Sequence, residues 1–146
     1  MTWATDRLDA LVRREGIRLP PVVETLKLET LDAWGAGWVR KKWTPKPEVM
    51  NIDGSMFGGY LAALADQILA FAAMTVLPGD KAYRTTNLNV SFFKLMRGGV
   101  LDIEGRVISQ SRSLIHVEAD FKLEDGTLTA RAQARQMLTE APPGFG

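Results

Sequence analysis

One carboxylate stands inside an otherwise uncharged, apolar run. From Tyr60 to Leu77 the chain reads YLAALADQILAFAAMTVL, with Asp66 and Gln67 near its middle. An ionised carboxylate without partners is costly to bury, so an Asp in such a place is either satisfied locally, by solvent or by a neighbouring loop, or held for chemistry. The doublet Gly58-Gly59 lies seven to eight residues upstream, where the helix should begin. There the first amides have no intrahelical acceptor, and the helix dipole favours negative charge. Alone, the doublet reads as a turn or a tight packing contact. Together with Asp66 it suggests a pair acting on one carbonyl. An amide holds the oxyanion formed when an acyl group such as a thioester is attacked, and Asp66 serves as nucleophile or as base for water.

The elements that must position this pair follow from periodicity. A helix from about Gly58 to Leu77 would be about 30 Å long. Its wheel sets Leu61, Leu64, Ile68, Phe71 and Thr75 opposite Asp66, as a stripe suited to a sheet, while Gly59, Ala62, Ala63, Ala70 and Ala73 share the Asp66 side. Asp66 is therefore expected on the floor of a narrow groove in a buried helix. Before it, Trp3, Leu8, Leu11 and Val12 suggest a short N-terminal helix over residues 3–15. After Pro20-Pro21, Val22–Thr30 and Ala36–Trp43 read as two strands around a turn at Leu31–Gly35. Beyond Pro78-Gly79 the pattern has period two, and four strands are expected up to Glu140. Their hairpin turns would lie at Gly98-Gly99, Gln110–Arg112 and Glu124–Gly126. The tail, residues 141–146, carries two prolines that cannot continue a ladder and should be irregular. The whole reads as one α+β domain over residues 1–146, an antiparallel sheet of five to six strands covered by one long helix.

Composition removes several classes of function. Cysteine is absent, which excludes disulfides, thiol nucleophiles and Cys-based zinc sites. Lys and Arg number 18 against 17 Asp and Glu, too even a balance for a field that would hold nucleic acid or an anionic membrane. The first residues lack the unbroken apolar core of a signal peptide, so a cytoplasmic protein is expected. His116 is the single histidine, and its strand phase turns it away from the apolar face; no metal site can be assembled around it. Arg40, Lys41 and Lys42 lie between two tryptophans, but on a strand they alternate faces and make no nucleic-acid surface.

The segment Asn51-Ile-Asp-Gly-Ser-Met-Phe57-Gly58-Gly59, followed by Leu64-Ala65-Asp66, resembles the hotdog-fold acyl-CoA thioesterases of the phenylacetyl-CoA (PaaI-like) group, within the 4-hydroxybenzoyl-CoA thioesterase superfamily. The resemblance runs from about Asn51 to Leu138. It implies a hotdog fold and hydrolysis of an acyl-CoA or aryl-CoA thioester. By it, Gly58 is the oxyanion amide, Asp66 the nucleophile or base, and Asn51 the residue that positions thioester or water. Thr85 or Thr86 would assist from a partner subunit. The family's His-Gly-Gly motif is altered here, with Phe57 in place of His. The resemblance further implies a homodimer or homotetramer with active sites between subunits. Coenzyme A belongs to the substrate, and no other cofactor is implied.

Phe57, Gly59, Thr86 and Arg112 are the candidates for contact with substrate, Arg112 through a CoA phosphate. Solvated surface charge is the plainer reading of Arg112, as it is of Lys81 and Arg84. Hydratase and dehydratase relatives generally use a histidine, which is missing from this helix start. The rival reading from another class is a hotdog protein that binds an acyl-CoA or acyl chain without turnover, for which the bulk of Phe57 beside the glycines is the main argument.

Overall fold

The computed structural model describes residues 1–143. Helix α1 (Trp3–Arg13) starts on a capping box, with the Thr5 amide donating to the Thr2 hydroxyl at 3.1 Å and the Thr2 amide to the Thr5 hydroxyl at 2.9 Å. It ends before residue 15 because Arg14 turns left-handed, at φ 58°. Ala4, Leu8 and Leu11, one or two turns apart, are buried.

The strand expected over Val22–Thr30 does not form. Pro21 opens a short helix, α2 (Pro21–Thr25), because a proline at the first helical position has a suitable φ and gives up no needed donor. Lys27 and Glu29 then adopt φ of 53° and 66°, which no ladder accommodates. The first hairpin lies further on, between β1 (Ala33–Gly35) and β2 (Trp38–Trp43).

The remaining strands are β3 (Lys81–Phe92), β4 (Leu101–Gln110), β5 (Leu114–Leu123) and β6 (Leu128–Glu140). All pairs are antiparallel, in the order β1-β2-β4-β5-β6-β3. The turns at 111–113 and 124–127 are hairpins, as expected. Gly98-Gly99 is not: both glycines have positive φ and lie in the connection from edge strand β3 to β4, which pairs with β2 and β5. The sheet stops at Glu140; residues 144–146 of the expected irregular tail lie outside the described residues. The two edges differ greatly. β1 has three residues, whereas β3 has twelve, and its side chains from Arg84 to Asn89 are exposed.

Helix α3 (Gly58–Met74) lies across the inward face of this sheet. Leu61, Leu64, Ala65, Ile68, Leu69 and Ala72 are buried in one core with Ile103, Ile115, Val117 and Phe121. Gly105 marks the closest approach: a β-carbon there would sit 3.2 Å from the Ile68 carbonyl oxygen and 3.0 Å from a Val39 methyl. Sequence and structure agree on a hotdog fold, an antiparallel sheet wrapped around one helix. Two details differ. The helix ends at Met74 rather than Leu77, because the amides of Thr75 and Val76 bond three residues back instead of four. Phe71 belongs to the flank of the buried stripe, is half-buried, and faces the same cavity as Asp66. Among the described residues no helix is long and apolar enough to cross a membrane.

Candidate active site

Asp66 is exposed rather than sunk in a groove floor. Its Oδ1 accepts a hydrogen bond from the Thr85 hydroxyl at 3.2 Å. Thr85 was expected to be delivered by a partner subunit; it meets Asp66 within the same chain. A bulge aims it. The β3–β6 register skips Thr86, leaving Thr85 opposite Gln136, whose side-chain oxygen lies 2.9 Å from the Thr85 hydroxyl.

Gln136 is fully buried, and its Nε2 has no partner among the described residues. A single hydroxyl proton cannot serve both Asp66 and Gln136. Turning the Gln136 amide over resolves the conflict: Nε2 donates to the Thr85 oxygen, and the Thr85 proton goes to Asp66. The hydroxyl is thereby held as donor to the carboxylate, and the Gln136 carbonyl oxygen takes the buried position that has no partner among the described residues. Sequence reasoning missed Gln136, although a signal existed: Ala130, Ala132 and Ala134 set the inward phase of β6, and the next residue on that face is a glutamine. Tyr83 lines the same cavity, and its phenol is pushed above its ordinary range by burial first and by the Asp66 charge second.

The other candidates gather at the start of α3. Phe57 is the N-cap residue and offers no side-chain cap. Its own amide donates to the Val49 carbonyl at 2.9 Å, and the amides of Tyr60 and Leu61 return to the Phe57 carbonyl. The amides of Gly58 and Gly59 thus remain without a backbone acceptor among the described residues. Asn51 shares a cavity of about 360 Å³ with Gly58, Phe92 and Phe93. Its side-chain amide donates to Ser55 Oγ at 3.1 Å and to the Met56 carbonyl at 3.3 Å, which shapes the loop entering the helix. Phe57 is 58% exposed, and its ring covers Gly59, where a β-carbon would come within 2.6 Å of it. Thr86 is exposed and donates to the Arg135 carbonyl at 3.2 Å. Arg112 sits exposed in the β4–β5 turn and lines neither the Asp66 nor the Gly58 cavity.

Asp66 and Thr85 line a separate cavity of about 420 Å³. The expectation that Gly58 and Asp66 of one chain act on one carbonyl therefore fails on distance. Eight residues at 1.5 Å each separate them by about 12 Å along the helix, several times a hydrogen bond.

One wall of the Asp66 cavity is the loop after α2, and a buried lysine pins it. Lys41 points inward between Val39 and Trp43 and is 2% exposed. Its ammonium donates to the Leu28 carbonyl and, at 2.8 Å, to Gln67 Oε1; Gln67 Nε2 in turn donates to the Glu29 carbonyl at 2.9 Å. Burial lowers the Lys41 pKa to about 8, against smaller opposing effects of Glu29 and Asp32. The native state therefore releases a proton that the unfolded chain keeps up to its ordinary pKa, so stability rises with pH between these values. Comparing urea unfolding of the wild type with Lys41→Met should show the wild type gaining on the order of 3 kcal/mol relative to the variant from pH 7 to pH 10.5. A constant difference across that interval would mean that Lys41 is not depressed.

Residues 53–130, just over half of the chain, match the family model described as the Thioesterase superfamily. The chain belongs to that superfamily. Two provisionally named esterases of Saccharolobus solfataricus are 34% and 31% identical over 60% and 67% of this chain; the chain spans only 61% and 63% of their own lengths. Among solved structures, a provisionally named thioesterase of Ralstonia eutropha JMP134, described as related to phenylacetic acid degradation, is 26% identical with a TM-score of 0.79, covering 93% of this chain and 99% of its own. A thioesterase of Haemophilus influenzae shares the fold at 19% identity, with a TM-score of 0.79 and 95% and 94% coverage.

Proposed function

We propose that this member of the thioesterase superfamily hydrolyses an acyl-CoA or aryl-CoA thioester to the free acid and CoA, in a site shared by two copies of the chain. The observation that carries the reading is the placement of the two chemical groups along one free strand edge. Asp66 is held by Thr85, while Gly58 packs against Phe92 seven residues further along β3. A long unpaired edge is a template for pairing with another chain. If β3 pairs antiparallel with its copy about a two-fold axis midway between Thr85 and Phe92, at Leu88-Asn89, then Gly58 of one copy comes opposite Asp66 of the other. The 12 Å gap within a chain is closed between chains.

In such a site the Gly58 amide donates to the thioester oxygen and stabilises the oxyanion. Asp66 either attacks the carbonyl carbon, giving an anhydride that water cleaves, or takes a proton from the attacking water. In both routes the C–S bond breaks, CoA leaves as a thiolate, and the acid is released. Thr85 fixes the carboxylate, Asn51 orients the reactants beside Gly58, and Phe57 and Gly59 border the substrate. Thr86 sits on the exposed strand edge beside Thr85, whereas Arg112 lines neither cavity and takes no part in this reading. This chemistry calls on the Gly58 amide, these side chains, water and the CoA of the substrate.

The test is CoA release by the wild type from a panel of straight-chain and aryl acyl-CoAs, followed with a thiol reagent; turnover of at least one class is expected. The exposed Phe57 ring beside the Gly58 amide favours a second reading, acyl-CoA binding without turnover. Binding by calorimetry with no CoA released from any panel member would establish that reading instead.

A further inference from the structure

We propose that the cavity between α3 and the N-terminal segment holds an unbranched acyl chain of about nine carbons, with its carbonyl at Asp66 and its methyl end near Met74. The inference rests on the thioesterase reading and names the substrate class of that site. Three observations carry it. The cavity's α3 wall consists of residues 63, 66, 67, 70, 71 and 74. This spacing is one stripe of a helix, so the cavity runs along the axis rather than into the core. Its volume of about 420 Å³ lies in the range of small-ligand sites, and its walls are mainly aliphatic and aromatic. Its opposite wall, with Leu11, Val23 and Leu26, comes from α1, α2 and the loop after them. All of these precede residues 53–130, the part that the superfamily model matches, so this wall is built by the N-terminal segment rather than by the matched part of the chain.

Length follows from geometry. Asp66 and Met74 are two turns apart, about 12 Å. With carbon–carbon bonds near 1.5 Å, an extended chain advances about 1.3 Å per carbon, so about nine carbons fill that distance. Ala70 lies halfway, one turn from Asp66, where its small side chain leaves the cavity open.

The experiment compares butyryl-CoA with decanoyl-CoA in the wild type and in Ala70→Phe. Each buried methylene favours the longer chain by about fourfold, and a ring at residue 70 denies the chain about four of them. The ratio of kcat/KM for decanoyl-CoA over butyryl-CoA is expected to fall about two-hundredfold in the variant. Being internal to one protein, the ratio is blind to a general loss of activity. Val23→Phe, which fills the cavity from the opposite wall, should lower the same ratio and serves if Ala70→Phe does not fold. A wild-type ratio near one, or a ratio unchanged in the folded variants, overturns the inference while leaving the thioesterase reading intact. If no thioester is turned over, that reading fails instead. The inference is then decided by the ratio of Kd values for the two acyl-CoAs, measured by calorimetry with Asp66→Asn and with Asp66→Asn carrying Ala70→Phe: a lowered preference for decanoyl-CoA in the double variant supports it, and an equal preference overturns it.

Discussion

Asp66→Asn is expected to reduce kcat for CoA release by about 10²–10⁴-fold, the contribution of a positioned carboxylate, with KM little changed. Asparagine keeps the shape of the side chain, and its oxygen still accepts the Thr85 hydroxyl that now bonds Asp66 at 3.2 Å. Because Asp66 is exposed, removing its charge leaves no buried group unpaired. The change in stability should stay within about 0.5 kcal/mol, as for other surface substitutions. A KM effect with kcat intact would mean that the carboxylate helps only to bind substrate. Retention of more than half of wild-type kcat, in a variant with an unchanged thermal midpoint, would remove Asp66 from the chemistry.

Much of this site was legible in the chain because its signals are local. The apolar run interrupted by one Asp, and the glycines eight residues before it, specify a helix with a free N-terminus and a carboxylate two turns on. The alternation in β4 and β5 and the Asp125-Gly126 turn likewise depend on neighbours in sequence. The failures arose where distant segments decide. Val22 and Val23 have strand propensity, yet Pro21 and the left-handed Lys27 and Glu29 turn the segment into a helix and a loop that wall the cavity. The pairing of β3 with β6, the last strand, puts Thr85 opposite Gln136 through a bulge that no local pattern announces. Lys41 and Gln136 belong to a middle category: each is a polar residue on the inward phase of its strand. Polar residues kept on a buried phase demand partners, and here those partners are the loop that walls the cavity and the hydroxyl that holds the carboxylate. Gly58 and Asp66 of one chain stand about 12 Å apart for a simpler reason, since proximity in sequence along a helix is not proximity in space.

Gly58→Pro isolates the other half of the chemistry. Gly58 is the first residue of α3, where proline is well tolerated, and Phe57 before it has φ −61° and ψ 126°, the extended conformation that a residue preceding proline prefers. Its amide has no backbone acceptor among the described residues, so the substitution deletes a donor without breaking a backbone hydrogen bond. The added ring meets Phe92, whose Cζ lies 3.3 Å from the new β-carbon and whose exposed side chain can turn away. Thermal stability should hold or rise slightly, because proline narrows the unfolded ensemble. Loss of one oxyanion donor should nevertheless lower kcat by about 10²–10³-fold. Mixing this variant with Asp66→Asn through co-refolding then separates the two geometries. If each site takes Asp66 from one copy and Gly58 from another, a mixed dimer has one site with both lesions and one with neither. Random pairing makes half of the dimers mixed, so activity should recover to about a quarter of wild type. A site contained within one chain would carry a lesion in every copy, and no recovery on mixing would refute the shared site.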